Sequence, residues 1–155
     1  MSLEPPQTGL ERVFRVEVLV GAIEDHGSTS AGHRRVVPIL GGRLFDGLDA
    51  EVLPGGADWQ VVRPDGTIEI DTRYSARAAD GALLHLRTHG VRAGSADVLA
   101  ALARGEEVPA SAYSFRLHVM IETSAPAHAH LERSLIVAAA ARGAGLVVYD
   151  AYRMT

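Results

Sequence analysis

Apolar and polar residues alternate along most of the chain, and short turn-forming clusters separate the alternating stretches. A period of two predicts antiparallel β-structure. Phe14, Val16, Val18 and Val20 share one face of a first strand. After a loop of Gly, Ser and Thr, a second strand runs from Arg34 to Phe45, and Pro38 with Gly41-Gly42 predicts a bulge or tight corner within it. Pro54-Gly55-Gly56 leads into Asp58 to Arg63, and Pro64-Asp65-Gly66 makes a hairpin turn in which Asp-Gly supplies the required positive φ. The return strand runs from Thr67 to about Arg77, and Asp80-Gly81 turns the chain into Leu83 to Thr88. Further on, Tyr113 to Thr123 is a strand, and Leu135 to Arg142 pairs with Leu146 to Tyr152 through Gly143-Ala144-Gly145.

Two segments break the alternation. Ser95 can cap the free amides of a short helix over 96–104, with Asp97 suited to its positive end and Gly105 ending it. Pro126 to Arg133 reads as a loop or a single helical turn. The total is eight or nine antiparallel strands with one or two short helices. A sheet of that many strands in so short a chain is expected to curl into a closed or nearly closed β-barrel, since closure removes exposed edges. The 155 residues make one domain, over 12–155, preceded by a loose arm over 1–11.

Composition narrows the chemistry. There is no Cys, no Lys and no Asn, and all 15 basic residues are Arg. Thiol nucleophiles, Cys-bound metals, Schiff-base lysines and the P-loop lysine are therefore excluded. The net charge of −4 and scattered arginines argue against nucleic acid as a partner. No apolar run approaches the ~20 residues that span a bilayer, and the first residues lack a signal-peptide pattern, so a cytoplasmic protein without a membrane partner is expected.

Three strands carry a charged face. Ile68, Ile70, Thr72 and Tyr74 oppose Glu69, Asp71, Arg73 and Ser75; Phe115, Leu117, Val119 and Ile121 oppose Arg116, His118, Met120 and Glu122; Leu84 and Leu86 oppose His85 and Arg87. Either these polar faces meet solvent around an apolar core, or they point Asp71, Arg73, Arg116, His118 and Glu122 into a ligand-holding lumen. In the second case the apolar faces carrying Ile68, Ile70, Leu117 and Val119 turn outward, and a homodimer is expected to cover them.

The runs Arg35 to Gly42, Val52 to Gln60 with its Pro-Gly-Gly-Ala-Asp-Trp, Arg63 to Gly66, Asp71 to Tyr74, Asp80 to Ala82, Phe115-Arg116 and Glu122-Thr123 resemble the bacterial domain-of-unknown-function family 3237. The resemblance covers nearly the whole chain from about residue 13. It implies a single-domain, calycin-like antiparallel barrel in a small bacterial cytoplasmic protein, and implies little about activity. Family-typical positions matched are Asp58, Trp59, Asp71, Arg73, Tyr74, Arg116 and Glu122. The chain departs from the family where Tyr-x-Trp-Leu-Asn is usual, having His128-Ala129-His130-Leu131-Glu132 instead. Alternate histidines occur as metal ligands in cupin barrels, but Glu132 follows too closely and no later Gly-rich segment adds another His, so no metal and no cofactor is assigned.

Two functions fit these residues. The first is a cofactor-free acid–base enzyme (isomerase, cyclase, lyase or hydratase) acting on a small organic acid or carbonyl compound. Its base is Glu122 or Asp71, His118 relays a proton, and Arg73 and Arg116 hold a carboxylate or developing enolate, with Asp58, Trp59 and Tyr74 as further ligand contacts. The second is a non-catalytic carrier or sensor of a small ligand built on the same cavity. Metal-dependent cupin-like chemistry through His128 and His130 is a third, lesser reading.

Overall fold

Each alternating stretch becomes a strand whose apolar phase faces inward. In a computed structural model describing residues 1–155, the strands are β1 (Leu10–Val20), β2 (Glu24–Thr29), β3 (Gly32–Phe45), β4 (Ala50–Val52), β5 (Ala57–Val62), β6 (Ile68–Ala78), β7 (Leu83–Ala93), β8 (Ser114–Glu122), β9 (Ile136–Gly143) and β10 (Leu146–Met154). Every pairing is antiparallel, and β1 pairs with both β10 and β3, which closes the sheet. β3 is long enough to take β1 and β2 along one edge and β4 and β5 along the other. Counting β1 with β2, and β4 with β5, as single broken staves, the ten segments form an eight-stranded closed barrel.

The bend expected in β3 lies where β1 crosses it, with a register shift between Leu19 and Val20. Gly42 has φ +137° there, and a Cβ on it would meet the Glu17 carbonyl at 2.0 Å. Only glycine permits that approach. Helix α1 (Ala96–Ala103) is the expected one: Ser95 accepts from the Val98 amide at 3.2 Å, and Leu102 is buried in the core. Pro126–Arg133 is a 3-10 turn that buries Leu131. No helix is long and apolar enough to cross a membrane.

Phe14, Val16, Ile39, Ile70, Leu86, Leu117, Val119 and Ile136 are among the residues of one continuous core inside the barrel. Asp71, Arg73, Arg116, His118 and Glu122 therefore lie on the outer face, which corrects the expectation that they converge in the lumen. Burying a Val, Leu, Ile or Phe side chain contributes about 1.5–3 kcal/mol, whereas each buried ion costs several kcal/mol unless fully paired. Repeated along every stave, that difference turns the apolar phase inward. Ile68, Ile70, Leu117 and Val119 are buried in the same core, so the outward apolar faces from which a homodimer was expected are absent.

Candidate functional site

The inward phase is not wholly apolar. In β5, Asp58 and Gln60 take core positions and are 8% and 2% exposed; Thr72, Thr88 and Arg92 do so in β6 and β7, Arg92 at 2%. Arg142 continues the inward series Ile136, Ala138, Ala140 of β9, and Tyr149 faces inward from β10. Together they line a narrow cavity, with about 40 Å³ free for the centres of water-sized molecules, to which all eight staves contribute. Its other walls are largely apolar, among them Val18, Ile39, Ile70, Phe115 and Leu117.

Register arranges the polar groups in tiers. Arg92 lies opposite Phe115, with its guanidinium over that ring at 5.1 Å from the centroid. Arg142 lies opposite Val147 on the adjoining hairpin. Asp58 lies opposite Thr72, and Thr72 opposite Thr88. Deeper, the hydroxyls of Tyr74 and Tyr149 are hydrogen-bonded to each other. One proton of that pair is used internally, so one hydroxyl remains as a donor toward the cavity.

Asp58 is held as an acceptor. Gln60 Nε2 donates to its Oδ2 at 2.7 Å and the Asp71 amide to its Oδ1 at 3.0 Å, while Arg35 donates to Gln60 Oε1 at 2.8 Å and so fixes which way that amide points. Burial pushes the Asp58 carboxyl above its ordinary range, against the hydrogen bonds from Gln60, Asp71 and Thr72. Burial, and then the neighbouring Arg142, push Arg92 down to about 10, which leaves it a cation at neutral pH. Burial and Arg35 lower Arg142 likewise. Both phenols are raised by burial and stay protonated. A carboxylate able to exchange a proton, two cations and a phenol donor thus surround one apolar space, a combination suited to proton transfer with stabilisation of the anion formed.

Of the residues expected from the sequence to hold a ligand, Asp58 and Tyr74 line this cavity. Trp59, the residue between Asp58 and Gln60, points outward at 40% exposure, because alternation within β5 gives it the opposite face. On the exterior, Asp71 bridges Arg87 at 3.1 Å and Arg73 at 3.8 Å, and the Arg116 Nη1 donates to the Phe115 carbonyl at 3.0 Å. His118 lies opposite His89, and Glu122 opposite His85, on the same outer face. His128 is hydrogen-bonded to Asp80 at 3.1 Å on the 3-10 turn; with His130 it borders a surface hollow apart from the lumen.

Gln60, Thr72, Thr88, Arg92, Arg142 and Tyr149 were not anticipated as site residues. Their mark in the sequence is a polar or cationic residue in phase with the apolar side of a strand: Arg142 after Ile136, Ala138 and Ala140, and Arg92 after Leu84, Leu86 and Thr88. A group placed there must be buried, and burial demands a partner.

The fold and this lining define a closed antiparallel β-barrel with a partly polar internal cavity. The chain belongs to the family of proteins of unknown function DUF3237, whose model matches residues 8–154. An uncharacterised UPF0311 protein of Rhodopseudomonas palustris is 35% identical over 150 residues, covering 96% of this chain and 98% of that protein. A solved structure of a conserved protein of unknown function from the same organism superposes with a TM-score of 0.92, at 34% identity over 98% of this chain and all of the other. A barrel-like protein of Acinetobacter baumannii superposes at 0.85 with 39% identity, over 99% of this chain and all of the other. A structure described as an enzyme from Penicillium herquei shares the fold at a TM-score of 0.72 and 17% identity, with full coverage of both chains.

Proposed function

We propose that the barrel is a cofactor-free acid–base enzyme that moves a proton on a small organic acid or carbonyl compound held in its lumen, in the class of isomerases, cyclases, lyases or hydratases. The observation that carries this is Asp58: a buried carboxylate beside an open apolar space, with its orientation fixed through Gln60 and Arg35. As base, Asp58 takes a proton from the carbon next to a carbonyl. The electron pair of that C–H bond moves to the carbonyl oxygen, and the resulting enolate is stabilised by the leftover phenolic hydroxyl of Tyr74 and Tyr149 and by the charge of Arg92 and Arg142. Return of the proton from Asp58 to a different atom completes an isomerisation; in a cyclisation the carbanion attacks a second carbonyl carbon of the same molecule, the π pair of that C=O moves to its oxygen, and that oxygen takes the proton from Asp58.

Deuterium wash-in tests this without knowledge of the natural substrate. In D2O, the wild-type protein is expected to accelerate exchange at the carbon next to the carbonyl of small ketones and keto acids, read by proton NMR. Asp58→Asn should lower that rate by about 10²-fold or more, the usual worth of a positioned base. Ligand binding with exchange no faster than in buffer would contradict the enzyme reading and leave a carrier or sensor.

A further inference from the structure

Resting on the lumen as the binding site, a second feature specifies what it binds. Arg92 and Arg142 line the cavity from β7 and β9, the strands on either side of β8, each with a buried Nε that has no hydrogen-bond partner. The arginines with ion pairs, from Arg12 and Arg15 to Arg104 and Arg153, are all on the exterior, and neither lumen arginine is among them. A guanidinium 98% buried over a phenyl ring with an unmet donor is costly, and two adjacent ones repel as well. The one carboxylate in the lumen, Asp58, has both oxygens engaged by Gln60 and the Asp71 amide. The donors therefore await an anion from outside the chain.

We propose that the barrel takes a slim organic monocarboxylate, its carboxylate between Arg92 and Arg142 and its far end presenting a carbonyl oxygen to the Tyr74–Tyr149 pair. Two planar guanidiniums match the planar, two-oxygen geometry of a carboxylate. Arg142 sits opposite Val147, two residues along β10 from Tyr149, so the backbone positions that carry charge anchor and phenol are about 7 Å apart along the strand. That distance fits an acid whose carbonyl lies four or five bonds from the carboxylate carbon. The apolar walls between them, Val18, Ile70 and Leu117 among them, accept methylene groups and nothing charged. Asp58 then faces the middle of the chain, where the proton next to the carbonyl is carried.

Three commercial probes separate the parts: 5-oxohexanoate, hexanoate and hexan-2-one, with binding followed by saturation-transfer NMR. The wild type is expected to prefer 5-oxohexanoate over hexan-2-one by at least tenfold, with hexanoate between them. Arg142→Met and Arg92→Met should each bring the keto acid down to the affinity of the ketone, and Arg116→Met on the outer face should leave all three unchanged. Tyr74→Phe combined with Tyr149→Phe, which removes both hydroxyls, should lower the keto acid toward hexanoate. Because the lumen arginines are unpaired, both Met variants should also melt no lower than the wild type, a readout that a structural role would reverse.

Equal binding of acid and ketone, an unaltered preference in both Met variants, or failure of every probe to bind more tightly than about 10 mM overturns the proposal. The enzyme reading fails separately: binding in the predicted order without deuterium wash-in removes proton transfer and keeps the carboxylate site, while wash-in on ketones and acids alike does the opposite.

Discussion

At Asp58 and Asp150 one side chain titrates in opposite directions, and the cause is visible in each case. Hydrogen bonds from Arg15 and Arg12 hold Asp150 below the ordinary carboxylate range, whereas burial lifts Asp58 above it. A lowered native pKa means the unfolded chain binds the extra proton, so the Asp150 contribution is present above pH ~3.9 and is lost as pH falls through the native value. Asp58 works the other way: its neutral form favours the fold below pH ~3.9, and that contribution is lost as pH rises through the raised native value. Asp150→Asn should thus lower the urea midpoint at pH 7, with the difference from wild type closing on acidification. The acid limb of deuterium wash-in should lie above the ordinary Asp value, because Asp58 must ionise to act. Tyr74→Phe should cost about 1 kcal/mol by removing one partner of a buried hydrogen bond, measured by urea unfolding.

At the scale of elements, the close approach of β7 and β8 is the most sensitive point. A Cβ on Gly90 would lie 2.0 Å from the Arg116 carbonyl, next to its register partner Leu117, and no side-chain movement relieves a backbone contact. Gly90→Ala should therefore destabilise by about 1–3 kcal/mol, as overpacking does, and loosen the end of β7 that carries Arg92. This glycine also explains why β7 was expected to end at Thr88: it interrupts the alternation, and the strand continues to Ala93 through pairing with β8. β2 was missed for a related reason. Its residues, Glu24 to Thr29, have no apolar phase, and pairing with β3 alone makes them a strand. The other long strands were legible because each buries one face and exposes the other.

Over the whole molecule, closure was legible and the lumen's lining was not. Strand count and length imply a barrel, but alternation defines two faces without saying which is inside. The outer face is charged and laced with pairs such as Arg43–Glu17 and Arg63–Glu69, so a search for clustered charge leads to the surface. The site lies instead in the few polar residues that share the core's phase, and Asp58 and Tyr74 were reached only through the family resemblance. The central claim is that this interior, and not the charged exterior, receives the ligand. Side-chain Nε–H resonances of the arginines, followed by proton–nitrogen NMR during titration with 5-oxohexanoate, test it most directly. The prediction is a saturable shift of the Arg92 and Arg142 signals, abolished for each by its own Met substitution, with Arg73 and Arg116 unmoved. Shifts confined to Arg73, Arg87 or Arg116, with Arg92 and Arg142 unchanged at saturation, would contradict it.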